Sequence, residues 1–218
     1  MRVPRMMKTL KASGWWTVNQ RTVMSWLGVI LVWALLPAPA HADFMVRPVN
    51  LAYLTQRADI IVQGRVVETR YEGMPNYPHI PTVLVTLEVE RMLRGPEGAR
   101  FTFRQFLPSA ERRTAKNAYL VGQRLLLFLP APSRFGLSSP IGHAQGRFHI
   151  LRDASGREMV QNEMGNAGLF KNVTTEAEMS GVGLNQEETQ VAGTPRGPIA
   201  LRQLVPLVEH LRLLPRIQ

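Results

Sequence analysis

The chain has 218 residues, no cysteine, 45% hydrophobic and 19% charged side chains, and a formal net charge of +10. That length suits one ordinary globular domain plus a removable segment and is short for two large domains. The apolar-to-charged balance excludes a mostly disordered chain, and the lack of cysteine excludes disulfide staples, thiol catalysis, a lipoprotein anchor cysteine and cysteine-based zinc sites.

In chain order, residues 1–42 carry Arg2, Arg5, Lys8, Lys11 and Arg21 with no acid, then the uncharged run Val23 to Leu36, then Pro37 and Ala40-His41-Ala42. A basic stretch, an apolar stretch and an A-x-A site describe a secretory signal peptide cleaved before Asp43. The apolar run, about 14 residues, is short of the roughly 20 that a membrane-spanning helix needs. Removing 42 residues from 218 takes five of the 26 basic side chains, so the net charge of +10 falls to +5. A nucleic-acid reading based on overall charge loses much of its force, since no polybasic block remains. A domain of that size can bury a sufficient core without staples.

The next segment, Val49 to Arg57, is apolar and suits a short helix. Asp59 to Arg70 is rich in β-branched residues and predicts a first strand, with Ile60, Val62 and Val66 on one face and Gly64 marking a bulge or bend. Pro75, Pro78 and Pro81 within 73–81 predict a loop, since proline cannot donate to a central ladder. Thr82 to Glu90 alternates cleanly, with Val83, Val85, Leu87 and Val89 inward. A turn at Gly95-Pro96-Glu97-Gly98 leads to a third strand, Arg100 to Arg104, with Phe101 and Phe103 on one side. Ser109 to Lys116 reads as a short helix capped by Ser109. The fourth strand, Gln123 to Leu129, is apolar on both faces and therefore central or covered. Ala144 to Arg152 and Arg157 to Val160 form a hairpin around Asp153-Ala154-Ser155-Gly156.

From 163 to 198 no period persists, and the segment is expected to be a flexible acidic, glycine-containing loop that buries too little apolar surface to order. Leu201, Leu204, Val205, Val208 and Leu211 then mark one face of an amphipathic C-terminal helix within 199–218. The domain plan is a signal peptide over 1–42, a β-barrel over 43–162, the loop and the helix. The fold class is mainly β: a five- to six-stranded, OB-like antiparallel barrel with a short helix between strands 3 and 4.

Four phrases carry a resemblance: Arg57-Ala58-Asp59-Ile60-Ile61-Val62-Gln63-Gly64-Arg65-Val66, Val89-Glu90-Arg91-Met92-Leu93-Arg94-Gly95, Gly122 to Leu129, and Gln145-Gly146-Arg147-Phe148. They resemble a family of uncharacterised exported bacterial proteins, which is in turn similar to the netrin-like OB barrels of tissue metalloproteinase inhibitors. The resemblance spans about residues 49–162 and implies a fold rather than a chemistry. Those inhibitors place an N-terminal cysteine on the protease zinc; this chain has no cysteine, so that mechanism does not transfer.

No catalytic motif stands out. His143 and His149, six residues apart, would sit roughly 20 Å apart on a straight strand, too far to share a metal. Ser138, Ser139 and Ser155 have no nucleophile-elbow context. The expectation is a non-enzymatic, cofactor-free interaction module in the periplasm or outside the cell. Its partner would be an envelope protein or secreted peptidase, and it would have no membrane attachment after cleavage. The alternative is an OB-type binder of an extended anionic or saccharide polymer. An OB barrel binds on the strand 2–3 face between the loops after strands 1 and 4. This places Tyr77, His79, Arg134 and Phe135 on the loops, with Arg100 and Arg104 on the face, as candidate ligand contacts.

Export generates a spectroscopic test. All four tryptophans, Trp15, Trp16, Trp26 and Trp33, precede Asp43. The processed protein should therefore show tyrosine emission only, from Tyr53, Tyr71, Tyr77 and Tyr119. Tryptophan emission from protein purified out of the envelope would refute cleavage at this site.

Overall fold

The computed structural model describes residues 48–107 and 118–217. The proposed signal peptide and the helix expected over 109–116 lie outside them. The described residues belong to one compact unit, Val46–Gln218.

Helix α1, Leu51–Arg57, starts where the Asn50 side chain accepts the Tyr53 N–H at 2.8 Å. Such a cap satisfies one of the orphan donors of a first turn. It buries Leu51, Ala52, Leu54 and Thr55. Strand β1, Ile60–Met74, and strand β2, Tyr77–Arg94, then form a long hairpin. Here the expected 73–81 loop is corrected. The strands run through it to a two-residue turn, in which Pro75 fixes its φ and Asn76 takes φ 66°, as a type II turn requires. Pro81 fits because of where its missing donor falls. Its carbonyl accepts the Leu107 N–H at 3.0 Å, and in an antiparallel strand a residue's N–H and C=O face the same neighbour. The absent N–H therefore lies on the side of strand β3, Arg100–Phe106, just past the terminal pair Thr82 and Phe106, so the β1–β2 ladder loses no bond and the missing donor falls at the frayed end of the β2–β3 ladder.

Gly64 is the expected irregularity: the β1–β2 register shifts between Gln63 and Gly64. A Cβ there would lie 2.5 Å from the Glu88 carbonyl oxygen. Strands β4, Arg124–Leu129, β5, Arg147–Arg152, β6, Glu158–Asn162, and β7, Ile199–Ala200, complete a seven-stranded sheet in the order β3-β2-β1-β4-β5-β6-β7, with every pairing antiparallel. A 3-10 turn, His143–Gly146, replaces the expected start of β5.

The β-rich class holds, but the closed barrel of five or six strands does not. After β4 the chain pairs β5 on β4, β6 on β5 and β7 on β6, carrying the sheet away from β3. Among the described residues, the one β-bridge between β3 and the chain beyond β4 is the isolated pair Arg104 and Leu137. The reason is a second layer. Leu126 and Phe128 of β4 join Phe148, Ile150 and Val160 in a core packed with helices, while Leu125, Leu127 and Leu129 face a separate core with Val62, Val83, Val85, Leu87 and Phe103. A strand apolar on both faces is satisfied by two layers as well as by a barrel.

The layer comes largely from the segment expected to be a loop. Residues 163–198 carry helix α2, Val173–Met179, and helix α3, Gln186–Ala192. They bury Leu169, Phe170, Val173, Ala177, Val182, Val191 and Ala192. Asn185 and Glu188 form a capping box that starts α3. Helix α4, Leu201–Leu211, matches its expected apolar face, with Leu201, Leu204, Val205, Val208 and Leu211 all buried, and holds the exposed Pro206 within it.

The ends of 163–198 are clipped together by two buried asparagines. The Asn162 side-chain oxygen accepts the Asn166 N–H at 2.9 Å, and the Asn166 side-chain oxygen accepts the Asn162 N–H at 2.9 Å. The Asn166 amide donates to Val160 O at 3.1 Å and to Gly197 O at 2.8 Å. Asn166→Ala loses three side-chain hydrogen bonds, two of them fully buried, and should lower the unfolding free energy by about 3 kcal/mol in urea titration. Asn166→Gly relieves the cost of φ 58° yet should recover no more than about 1 kcal/mol. Full recovery by glycine would reduce the clip to a backbone effect.

Candidate binding surface at the hairpin end

Two chain segments meet at the end of the β1–β2 hairpin. Alternation along β2 places Tyr77 and His79 on the face that carries Val83, Val85 and Leu87. The chain after β4 supplies Arg134 and Phe135 from a tight turn. The Ser133 N–H donates to Leu137 O at 2.8 Å, and the Gly136 N–H donates to Ser133 O at 2.7 Å. Gly136 adopts φ 71°, a conformation that glycine allows at little cost. Tyr77 then lies edge-on to both His79, at 6.4 Å between ring centroids, and Phe135, at 6.3 Å. The Arg134 guanidinium sits 4.6 Å from the Phe135 centroid. Edge-to-face rings and a stacked cation are mutually favourable geometries.

Of the six residues singled out from the sequence, these four come together. Arg104 and Arg100 do not join them as surface contacts. The Arg104 side chain is 14% exposed and spends its donors inward, on Thr82 Oγ1 at 2.9 Å and on the Glu72 carboxylate at 2.6 Å. Its carbonyl accepts the Ser138 N–H at 2.8 Å. Arg104 is thus the tether between the hairpin, β3 and the 133–137 turn. Arg100 lies in backbone register with Glu88 at the opposite end of β3, roughly 20 Å from Phe106 at strand spacing.

The structure adds two residues that pattern reading passed over. Tyr71 is 39% exposed and pairs in register with Val83; Phe106 is 42% exposed and pairs with Thr82. Five aromatic side chains are exposed among the described residues, Tyr53, Tyr71, Tyr77, Phe106 and Phe135. All but Tyr53 lie at this end of the sheet. Phe106 carried a faint signal, an aromatic residue directly continuing a strand whose other aromatics are core.

A second polar cluster lies at β5. Arg147 forms an ion pair with Glu163, His149 Nε2 lies 3.9 Å from the same carboxylate, and Arg147 stacks 4.9 Å from the Tyr119 ring. Burial, followed by the Arg147 charge, lowers the His149 pKa, and burial pushes the Tyr119 hydroxyl up to about 12. The arrangement holds the start of β5 against the turn after β6. Among the described residues, no group of three or more His, Asp or Glu side chains is placed to hold a metal ion.

No family model and no curated protein matches the chain. The two strand arginines are separable by mutation. Arg104→Gln should cost about 1 kcal/mol of stability by removing the mostly buried guanidinium and its bonds to Thr82 and the partly solvated Glu72, whereas Arg100→Gln should fall within about 0.5 kcal/mol of the parent. Equal effects in parallel urea titrations would contradict these assignments.

Proposed function

We propose that this protein is an exported, non-catalytic binding module that engages a protein or peptide partner of the cell envelope through the aromatic end of its β1–β2 hairpin. One observation carries the reading: four of the five exposed aromatic side chains, with a stacked arginine, are gathered at one end of the sheet. Aromatic and arginine side chains are the residues that most often anchor protein interfaces, because they bring large contact area at low entropic cost. The β1–β4 part, curled enough for Leu137 to reach Arg104, supports reading that half as an OB-like unit that has opened out. Kinship with netrin-like barrels then rests on fold-level analogy. Export rests on the N-terminal pattern of residues 1–42.

A second reading has its own observation. An arginine stacked on a phenylalanine also suits a polymer binder, in which planar groups stack and the cation meets a charged backbone.

Photocrosslinking in the cell envelope tests the first reading. A crosslinker at Tyr77 should capture one defined protein partner, and Phe135→Ala should weaken that complex about tenfold or more. The same probe at Leu120, 55% exposed and outside this cluster, should capture nothing defined. Equal capture from both positions would remove the hairpin end as the binding surface.

A further inference from the structure

We infer that the aromatic hairpin end takes an acidic peptide segment: an extended stretch of a partner chain that seats apolar side chains on Tyr77 and Phe135 and places one carboxylate on Arg134. This rests on the binding-module reading and specifies the partner's chemistry.

The argument is a charge audit. Within 71–81 and 130–139 the charged residues are Glu72 and Arg134. Glu72 is neutralised by Arg104 at 2.6 Å. Neighbouring Arg70 is held by Glu68 at 3.1 Å. Arg134 pairs with no carboxylate among the described residues; its contact is the Phe135 ring. Among the described residues the surface therefore offers one uncompensated positive charge, set within aromatic and proline side chains that include Pro75, Pro78 and Pro132, all exposed.

Stacking fixes what Arg134 offers. A guanidinium lying over a ring satisfies its face and leaves its in-plane N–H groups free, and that planar fork matches a carboxylate with two parallel hydrogen bonds. The cation is thus oriented before the ligand arrives, which lowers the entropic cost of the contact. A polyanion would need several cations along its track. Here Arg104 is turned inward and Arg100 is a strand's length away, so among the described residues a single charge remains. The stacked guanidinium also takes one face of Phe135, leaving less ring for base stacking. One carboxylate flanked by apolar side chains is the ligand this charge pattern complements.

The test uses the purified full chain on an array of synthetic dodecapeptides rich in proline and aromatic residues, in matched sets that carry Glu, Gln or Lys at one central position. At about 0.15 M salt, where surface pairs are screened beyond roughly 8 Å, Glu peptides should be retained about tenfold more than their Gln partners, and Lys peptides least. Arg134→Gln should bring the Glu-to-Gln ratio to about one while leaving the remaining retention in place. Arg134→Lys should restore it only in part, because an ammonium lacks the fork. Phe135→Ala should weaken all sets together. Equal retention of Glu and Gln peptides, a ratio unchanged in Arg134→Gln, or no retention of any set would overturn the proposal. Phe135-dependent binding of oligo-dT with a steep salt slope would likewise overturn it, in favour of a polymer. The crosslinking experiment reads the hairpin end independently, so failure of acid selectivity alone leaves the binding-module reading standing.

Discussion

The reciprocal hydrogen bonds between Asn162 and Asn166 are the constraint on which the layered architecture rests. At the end of β6 the chain leaves the sheet for more than thirty residues and must return to form β7 and α4. An excursion of that length has a loop-closure cost that local helices of seven residues cannot offset alone. The asparagines meet this by joining both ends at one buried point. Asn166 holds Gly197 at the return, the Gly197 N–H donates to Gly165 O at 2.9 Å, and Asn162 reaches Gln145 O at 3.1 Å before β5. Backbone groups that would otherwise be stranded as the strand ends are satisfied by side-chain amides. Asn166 has no exposed surface, so these bonds form away from competing water.

With that clip in place, the apolar residues of 163–198 fold back onto Phe148, Ile150 and Val160, and β4 gains cover on its second face. A polar brace acts across the same half of the sheet. Arg124 of β4 holds Glu90 of β2 at 2.6 and 2.7 Å and also pairs with Glu158 of β6. The Arg124 hydrogen bond keeps the Glu90 carboxyl below its usual range despite partial burial. Three non-adjacent strands thereby share one cation, and such a network is worth more than an isolated surface pair.

Much of β1 to β6 was legible because alternation is a local signal: Val83, Val85 and Leu87 announce their face whatever they pack against. What stayed hidden depended on tertiary pairing. Pro81 reads as a strand breaker until the direction of its missing N–H is known, and that direction is set by the pairing register with β1 and β3. Helices α2 and α3 span only seven residues each, about two turns, too few for a 3.6 period to emerge above composition. The asparagine clip leaves no pattern at all. In the site, Tyr77, His79, Arg134 and Phe135 were legible by residue type, though Tyr77 and His79 belong to strand β2 and not to a loop. Arg100 and Arg104 share one strand face, and only the tertiary placement of Glu72, Thr82 and Ser138 around Arg104 tells them apart.

This division places stability and recognition on different parts of the chain. Along β1 and β2, residues near α1 and α4 are fixed by two cores, whereas residues 73–80 project beyond the ladder to β3 and are held by few side chains. A long hairpin end would ordinarily be mobile, since its backbone bonds are exposed and its apolar contacts sparse. Arg104 counters this by binding Thr82, Glu72 and, through its carbonyl, Ser138, so the turn that carries Arg134 and Phe135 cannot drift from the strand that carries Tyr77. The cluster can then remain exposed without collapsing into the core. Its rings pack edge to face and its cation stacks, so a good part of the ordering cost of binding has been met before a partner arrives.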